Sequence, residues 1–234
     1  MVLAVAATDP TAGARPRRRP GRAGFPLRVL GIDPGSRFCG FGVVEDKGGA
    51  RVLHLAHGVL VLDEALPIES RLCLLFDGLR ALVALHRPEV VAIEDIFHAQ
   101  NTRSALVLGE ARGVALLVAA QAGATVHSFP PSTVKQAVTG SGRAEKAQVG
   151  RMVDALLGIR VTGRADASDA LAVALCGVLR SRRPAVSVAA GSGRETANAT
   201  LQRLIAEAKS GKGGAQGRGF GPARRRAARG KGQG

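Results

Sequence analysis

The sequence predicts an α/β domain in which a mixed sheet is flanked by helices. Two observations predict it. Three short apolar segments joined by tight turns open the folded part of the chain, the pattern of an antiparallel meander. After them, apolar segments of helical period alternate with short buried strands, so the later strands are reached by helix crossovers. Length and composition permit such a domain: 234 residues, 46% of them hydrophobic, can bury a core and exclude disorder of the whole chain.

The first strand is Val29-Leu30-Gly31-Ile32, an apolar run closed by the turn Asp33-Pro34-Gly35. Cys39–Asp46 is the second, turned back through Lys47-Gly48-Gly49, and Arg51–Leu62 alternates enough to be the third. Across Pro67–His86, Leu72, Leu75, Phe76, Leu79, Leu82, Val83 and Leu85 recur with helical period. Glu89–Ile93 is a buried strand after that crossover, parallel to the first. Asn101–Gln121 is a long helix with Ala and Gly throughout, and Thr125–Phe129 is a strand. Pro131–Thr139, Glu145–Leu157 and Ala167–Arg180 are helices.

The chain carries 33 Lys and Arg against 18 Asp and Glu, a formal net charge of +15. Such an excess points to a polyanionic partner, nucleic acid first. It does not belong to the domain. Residues 1–27 hold five arginines against Asp9, and residues 181–234 hold twelve basic residues against Glu195 and Glu207, which leaves residues 28–180 at +1. The expected organisation is a disordered basic head (1–27), a folded domain (28–182) and a low-complexity basic tail (183–234). That tail is mostly disordered, with a short helix possible over about Glu195–Lys209. Ends of this kind bind nucleic acid weakly and without sequence preference.

The apolar stretch Val2–Ala7 is too short for a secretory signal and precedes the arginines. No run approaches the ~20 apolar residues of a membrane span, so no membrane is expected. Cys39, Cys73 and Cys176 are far apart and odd in number, which indicates neither a disulfide framework nor a thiolate zinc site and fits a reducing cytoplasm. Trp and Tyr are absent, so any base stacking falls to Phe.

Four carboxylates stand where a core should not tolerate them. Asp33 ends the first strand and Glu94 ends Val90-Val91-Ala92-Ile93, and side chains at the carboxyl ends of neighbouring strands converge on one crevice. Asp166 and Asp169 are three apart at the start of an apolar helix, which puts them on one face with Cβ atoms about 5–6 Å apart. Ionised acids so grouped repel one another unless protons or cations neutralise them. Oxygen-only ligands favour Mg²⁺ or Mn²⁺, and two such ions about 3.5–4 Å apart suit phosphodiester hydrolysis. Each acid also has a plainer reading: a turn former at a strand end, or a cap at a helix start.

The motifs settle the comparison. Leu30-Gly-Ile-Asp-Pro-Gly-Ser36, Gly40-Phe-Gly-Val43, Ala92-Ile-Glu-Asp-Ile-Phe97, Leu108-Gly-Glu-Ala-Arg-Gly-Val114, Val134-Lys-Gln-Ala-Val-Thr-Gly140, Ala144-Glu-Lys-Ala-Gln-Val149 and Ala165-Asp-Ala-Ser-Asp-Ala-Leu171 follow in that order. Together they resemble the RuvC family of bacterial Holliday junction resolvases over about residues 28–180. The resemblance implies an RNase H-like fold with a five-stranded mixed sheet. It implies a homodimer that nicks two strands of a four-way junction symmetrically, leaving 5′-phosphate ends, in recombination and repair. It implies Asp33, Glu94, Asp166 and Asp169 as a catalytic tetrad holding two divalent ions per subunit. It implies Phe97 near the junction centre, and Lys135 and Lys146 as phosphate-contacting or transition-state-stabilising residues. A RuvA–RuvB branch-migration complex as partner and a cytoplasmic, nucleoid-associated location follow from the same likeness.

Arg143 shares the Ser-Gly-Arg turn and is a further candidate for the DNA backbone, though not a motif position. Arg103 and Arg112 are less clear, since the second lies on a helix expected to pack between subunits, where Gly109 and Gly113 permit close approach. His98 and His127 are read as ordinary polar residues. The head and the tail are longer than the family requires. Two other readings stand beside this one. An actin-like ATPase or sugar kinase shares Gly-Ile-Asp-Pro-Gly but needs a duplicated domain that residues 28–180 cannot hold. A silent nucleic-acid-binding module would tolerate loss of an acid, and none is lost.

Overall fold

Strand alternation sorts the first strand into two sets of side chains, and the computed structural model, which describes residues 26–49, 51–95 and 102–182, puts a separate core on each. The strands are β1 (Leu27–Asp33), β2 (Phe38–Asp46), β3 (Val52–Val61), β4 (Val90–Glu94) and β5 (Thr125–Phe129). The helices are α1 (Ile68–His86), α2 (Thr102–Gln121), α3 (Pro131–Thr139), α4 (Lys146–Leu157) and α5 (Ala165–Arg182). The strands form one mixed sheet in the order β3-β2-β1-β4-β5. β1–β2 and β2–β3 pair antiparallel, and β1–β4 and β4–β5 pair parallel. This is the RNase H-like arrangement.

On one face Leu30, Ile32, Phe41, Val43, Val91 and Ile93 meet α1 and α2 through Leu75, Leu79, Ala111 and Val118. On the other, Val29, Val44, Val90 and Ala92 meet α5, which α3 and α4 cover from outside with Val134, Val138, Val149, Val153 and Leu157. α5 is therefore a central element. From Ala170 to Val178 every residue is buried, which is why its sequence is apolar all round.

Nothing with a side chain could lie under parts of α5. A Cβ at Gly31 would stand 2.1 Å from the carbonyl oxygen of Ala170 and 2.5 Å from the nitrogen of Ala174. At Gly40 it would stand 2.0 Å from the carbonyl oxygen of Asp166, and at Gly42 2.7 Å from the Leu171 side chain. Gly31 and Gly42 are register partners, and Gly40 pairs with Asp33, so the glycines form one bare patch on which the helix backbone rests. At the far end Arg182 grips Asp46 with Nε and Nη2, at 2.8 and 2.7 Å. That fork holds the Asp46 carboxyl below its usual range.

Most elements begin or end within a residue or two of expectation, and two of the differences have a clear physical reason. β1 starts at Leu27, inside the expected head, because Leu27 already pairs with Asp46. α5 starts at Ala165 rather than Ala167, because apolar period cannot register a first turn whose polar residues face an open edge. The expectation that nothing approaches a membrane span in length also needs amending. α2 is long and apolar enough by length and composition to cross one. In this fold its Ala111, Ala115, Val118 and Ala119 pack into the core between α1 and the sheet. The expected basic head up to residue 25, the tail from 183 and the helix over Glu195–Lys209 lie outside the described residues.

Gly31→Ala is expected to lower the free energy of unfolding by about 3 kcal/mol, the upper end of overpacking costs, because backbone rather than a flexible side chain meets the new methyl. Urea denaturation checks it. An unchanged midpoint would mean that α5 can lift without loss.

Candidate active site

β1 presents Val29, Gly31 and Asp33 to the α5 side, and β4 presents Val90, Ala92 and Glu94. The parallel register runs Val29↔Val90, Gly31↔Ala92 and Ile32↔Ile93, so the next step sets Asp33 beside Glu94. The first turn of α5 brings Asp166 and Asp169 over these strand ends. Gly40, directly across from Asp33, lets the backbone of Asp166 come down onto the sheet. The four acids picked from the sequence thus gather at one end of the sheet, from three elements.

Their proton affinities record the crowding. Asp33 is pushed up from 3.8 to about 8, first by burial, then by the charges of Glu94 and Asp169, by its hydrogen bond with Glu94, and by Asp166. Glu94 is raised by burial, against the opposing effects of its hydrogen bond with Asp33 and of Lys146 and Lys135. Asp169 is also raised by burial, although Lys146 pulls the other way. Lys146, at the start of α4, reaches Asp169 Oδ2 with Nζ at 2.6 Å, and this bond raises its own pKa. Lys135 on α3 is half-buried and acts on both Glu94 and Asp169.

Not every candidate joins this group. Arg143 is exposed in the turn between α3 and α4, where its backbone N–H donates to Ser141 Oγ at 3.4 Å. Arg112 is committed elsewhere: Nη2 donates to Asp95 Oδ1 at 2.7 Å and to Ser128 Oγ at 2.9 Å, tying α2 to the ends of β4 and β5. Arg103 is exposed on the first turn of α2. His127 is half-buried on β5, its ring 6.1 Å from that of Phe129. Phe97 and His98 lie outside the described residues.

Two side chains that the sequence did not single out stand at the edge of the cluster. Arg164 Nε donates to Asp166 Oδ2 at 3.0 Å, and its guanidinium lies over the Phe38 ring at 3.3 Å from the centroid. The available signal was an arginine two residues before an acid, but no periodicity says where a loop side chain points.

A donor set of carboxylate oxygens alone suits a hard cation rather than zinc. As placed, no three acids among the described residues are close enough to enclose one ion. Asp166 is held by Arg164 and Asp169 by Lys146, while Asp33 and Glu94 share a hydrogen bond. Each of these partners is a cation or a proton standing where a divalent ion could neutralise the same oxygens, so the donor set fits.

Comparison with known proteins agrees with the motifs. The family described as "Crossover junction endodeoxyribonuclease RuvC" matches residues 29–177. A relative of that name from Myxococcus xanthus is 54% identical over 171 residues, 72% of this chain and 88% of its own. One from Trichlorobacter lovleyi is 51% identical over 150 residues, 64% of this chain and 84% of its own. Among solved structures, Thermus thermophilus RuvC in complex with Holliday junction substrate is 34% identical with a TM-score of 0.63, covering 67% of this chain and 95% of that one. The yeast mitochondrial Holliday junction resolvase Ydc2, at 16% identity and a TM-score of 0.50 over 64% of this chain and 77% of that one, shares the fold.

The raised carboxyl has a consequence for stability. Asp33 holds its proton more tightly folded than unfolded, so its contribution is fully present below its ordinary value of 3.8 and is lost as pH rises through about 8. In the presence of chelator, Asp33→Asn should match the wild type near the acid end of this window. At its upper end, about pH 8, the variant should melt more than about 3 °C higher. Thermal melts across the window check it, and parallel profiles for the two proteins would refute the shift.

Proposed function

The chain belongs to the RuvC family of crossover junction endodeoxyribonucleases, and from that premise we propose that Asp33, Glu94, Asp166 and Asp169 are its catalytic and metal-holding residues. The enzyme is a structure-selective endonuclease that resolves Holliday junctions by metal-dependent hydrolysis. The observation that carries the residue assignment is the meeting of Asp33 and Glu94, at neighbouring strand ends, under the first turn of α5 with its Asp166 and Asp169.

Asp33, Glu94, Asp166 and Asp169 would hold Mg²⁺ or Mn²⁺, two ions per subunit, which would supply Lewis acidity for activating water and steadying charge on the leaving oxygen. Asp33 would have to be ionised to act as a ligand, and its crowding by Glu94 and Asp169 is what a bound cation would relieve. Lys146 and Lys135, whose charges already act on Glu94 and Asp169, face the scissile phosphate and offset the charge that develops there. Water oxygen bonds to phosphorus, the bond to the 3′ oxygen breaks, and that oxygen takes a proton, leaving 5′-phosphate and 3′-hydroxyl ends. Phe97 stacks on a base near the junction centre, and Arg143 in its exposed turn meets the DNA backbone.

Symmetric nicking requires two sites related by a two-fold axis, and α2 supports a homodimer. One of its faces packs in the core, yet Leu106 is 63% exposed and Leu117 51% on the other, with Gly109 and Gly113 between them having nothing within 4 Å of a built Cβ. Apolar side chains on a second, exposed face of a core helix are what a partner's helix would cover. The basic head (1–27) and tail (183–234) add non-specific affinity for DNA around the nuclease domain (28–182). The enzyme works in the cytoplasm on nucleoid DNA, together with a RuvA–RuvB branch-migration complex.

Asp33→Asn is expected to bind a synthetic four-way junction but cut it at least about 100-fold more slowly in Mg²⁺, the loss of several kcal/mol of charge stabilisation at tenfold per ~1.4 kcal/mol. Retained cutting would sink the metal assignment. Gly109→Arg should yield a monomer in sedimentation experiments, since the new side chain fills the groove that a partner helix needs. A dimer of unchanged stability would move the interface away from α2.

A further inference from the structure

The turn from β1 into β2 and the loop leading into α5 meet at the rim of the acid cluster. The turn delivers Arg37 and Phe38, and the loop delivers Arg164. Phe38 is half-buried and lies under the Arg164 guanidinium, 3.3 Å from ring centroid to central carbon, while Arg164 Nε donates to Asp166 Oδ2 at 3.0 Å. Arg37 is 5.6 Å from the same ring, but its own Nε is paired with Glu64 at 2.9 Å. We propose that Arg164, held on the Phe38 ring, is a phosphate-binding residue of the nuclease site, gripping the DNA backbone beside the bond to be cut. The assignment rests on the nuclease reading above and adds to it a contact supplied by neither the acids nor the lysines.

Three features carry it. A guanidinium presents five N–H donors in one plane, so donation through Nε to Asp166 leaves most of the fork free, and phosphate is the anion whose oxygens match a fork in pairs. The ring sits against the guanidinium carbon at 3.3 Å, and the Arg164 side chain is half exposed, so the guanidinium is reachable from solvent. Asp166 is wanted by a divalent ion when the site is loaded. An arginine whose sole anchor was Asp166 would then be released into solvent, whereas one resting on Phe38 stays at the rim with its donors freed. Lys146 on Asp169 has the matching position on the other acid of the helix. The acid cluster repels an approaching phosphate, and a cation fixed at its edge is what lets the backbone come close.

The test uses the full chain and a synthetic four-way junction. Arg164→Gln is expected to reduce the slope of log affinity against log salt by about one, the signature of one lost phosphate contact, and to slow cutting in Mg²⁺. Arg164→Lys keeps the charge and should restore the slope while cutting more slowly than wild type. Wild-type affinity and slope in Arg164→Gln would overturn the proposal. So would a change confined to Mn²⁺ affinity in calorimetric titration, which would make Arg164 only a counter-ion of Asp166. Should Arg164→Gln fail to fold, Phe38→Leu takes its place. It should weaken junction binding by about threefold, the size of an exposed cation–π contact, and unchanged binding there also overturns the proposal. If the wild type itself does not cut, the nuclease reading fails whatever the variants do; if it cuts and the slope survives in Arg164→Gln, the Arg164 assignment alone fails.

Discussion

Direct contact between the backbone of α5 and the bare strip formed by Gly31, Gly40 and Gly42 is the constraint on which the rest depends. Helices usually stand off a sheet by the depth of two layers of side chains. Here that spacing collapses, and the first turn of the helix falls to the level of the strand ends. Asp166 and Asp169 then share a volume with Asp33 and Glu94, which a helix riding on valines could not achieve. The Arg182–Asp46 fork at the other end fixes the helix along its axis, so height and position are set by separate contacts.

The same geometry concentrates repulsion. Three of the four acids have raised proton affinities, with burial the first cause in each, and the fold accepts that cost because two independent cores flank the sheet. The cluster is partly relieved by Lys146 and Arg164, one on each acid of α5. A site built this way is poised for cations: it is uncomfortable without them and has no carbon-only packing to fall back on.

Much of this was legible in the sequence because it obeys simple periods. Strand ends follow alternation, so Asp33 and Glu94 could be assigned to one crevice, and a spacing of three put Asp166 and Asp169 on one helix face. All five strands and five helices lie close to where apolar periodicity set them. The net charge was the weaker guide: its excess falls in the ends, and the functional cluster has the opposite sign. What stayed hidden has no period. The glycines could be recognised as a motif but not as a floor, since contact between β2 and a helix more than 120 residues later is tertiary. Phe38 opens β2 straight after a turn and Arg164 lies in a loop, where direction depends on the neighbours. Arg112 looked like an interface residue, yet it ties α2 to Asp95 and Ser128.

The position of α5 as the last of the described elements gives the site an order in time. β1 and β4 carry their two acids early in the chain, and a ribosome delivers both well before Ala165 emerges. Until α5 settles on its glycines, the nascent protein holds half of an acid cluster. On the proposed assignment, such a chain can stick to DNA through its basic head but cannot cut it. Competence then waits for the last helix of the described residues, since a fragment truncated before α5 lacks Asp166 and Asp169.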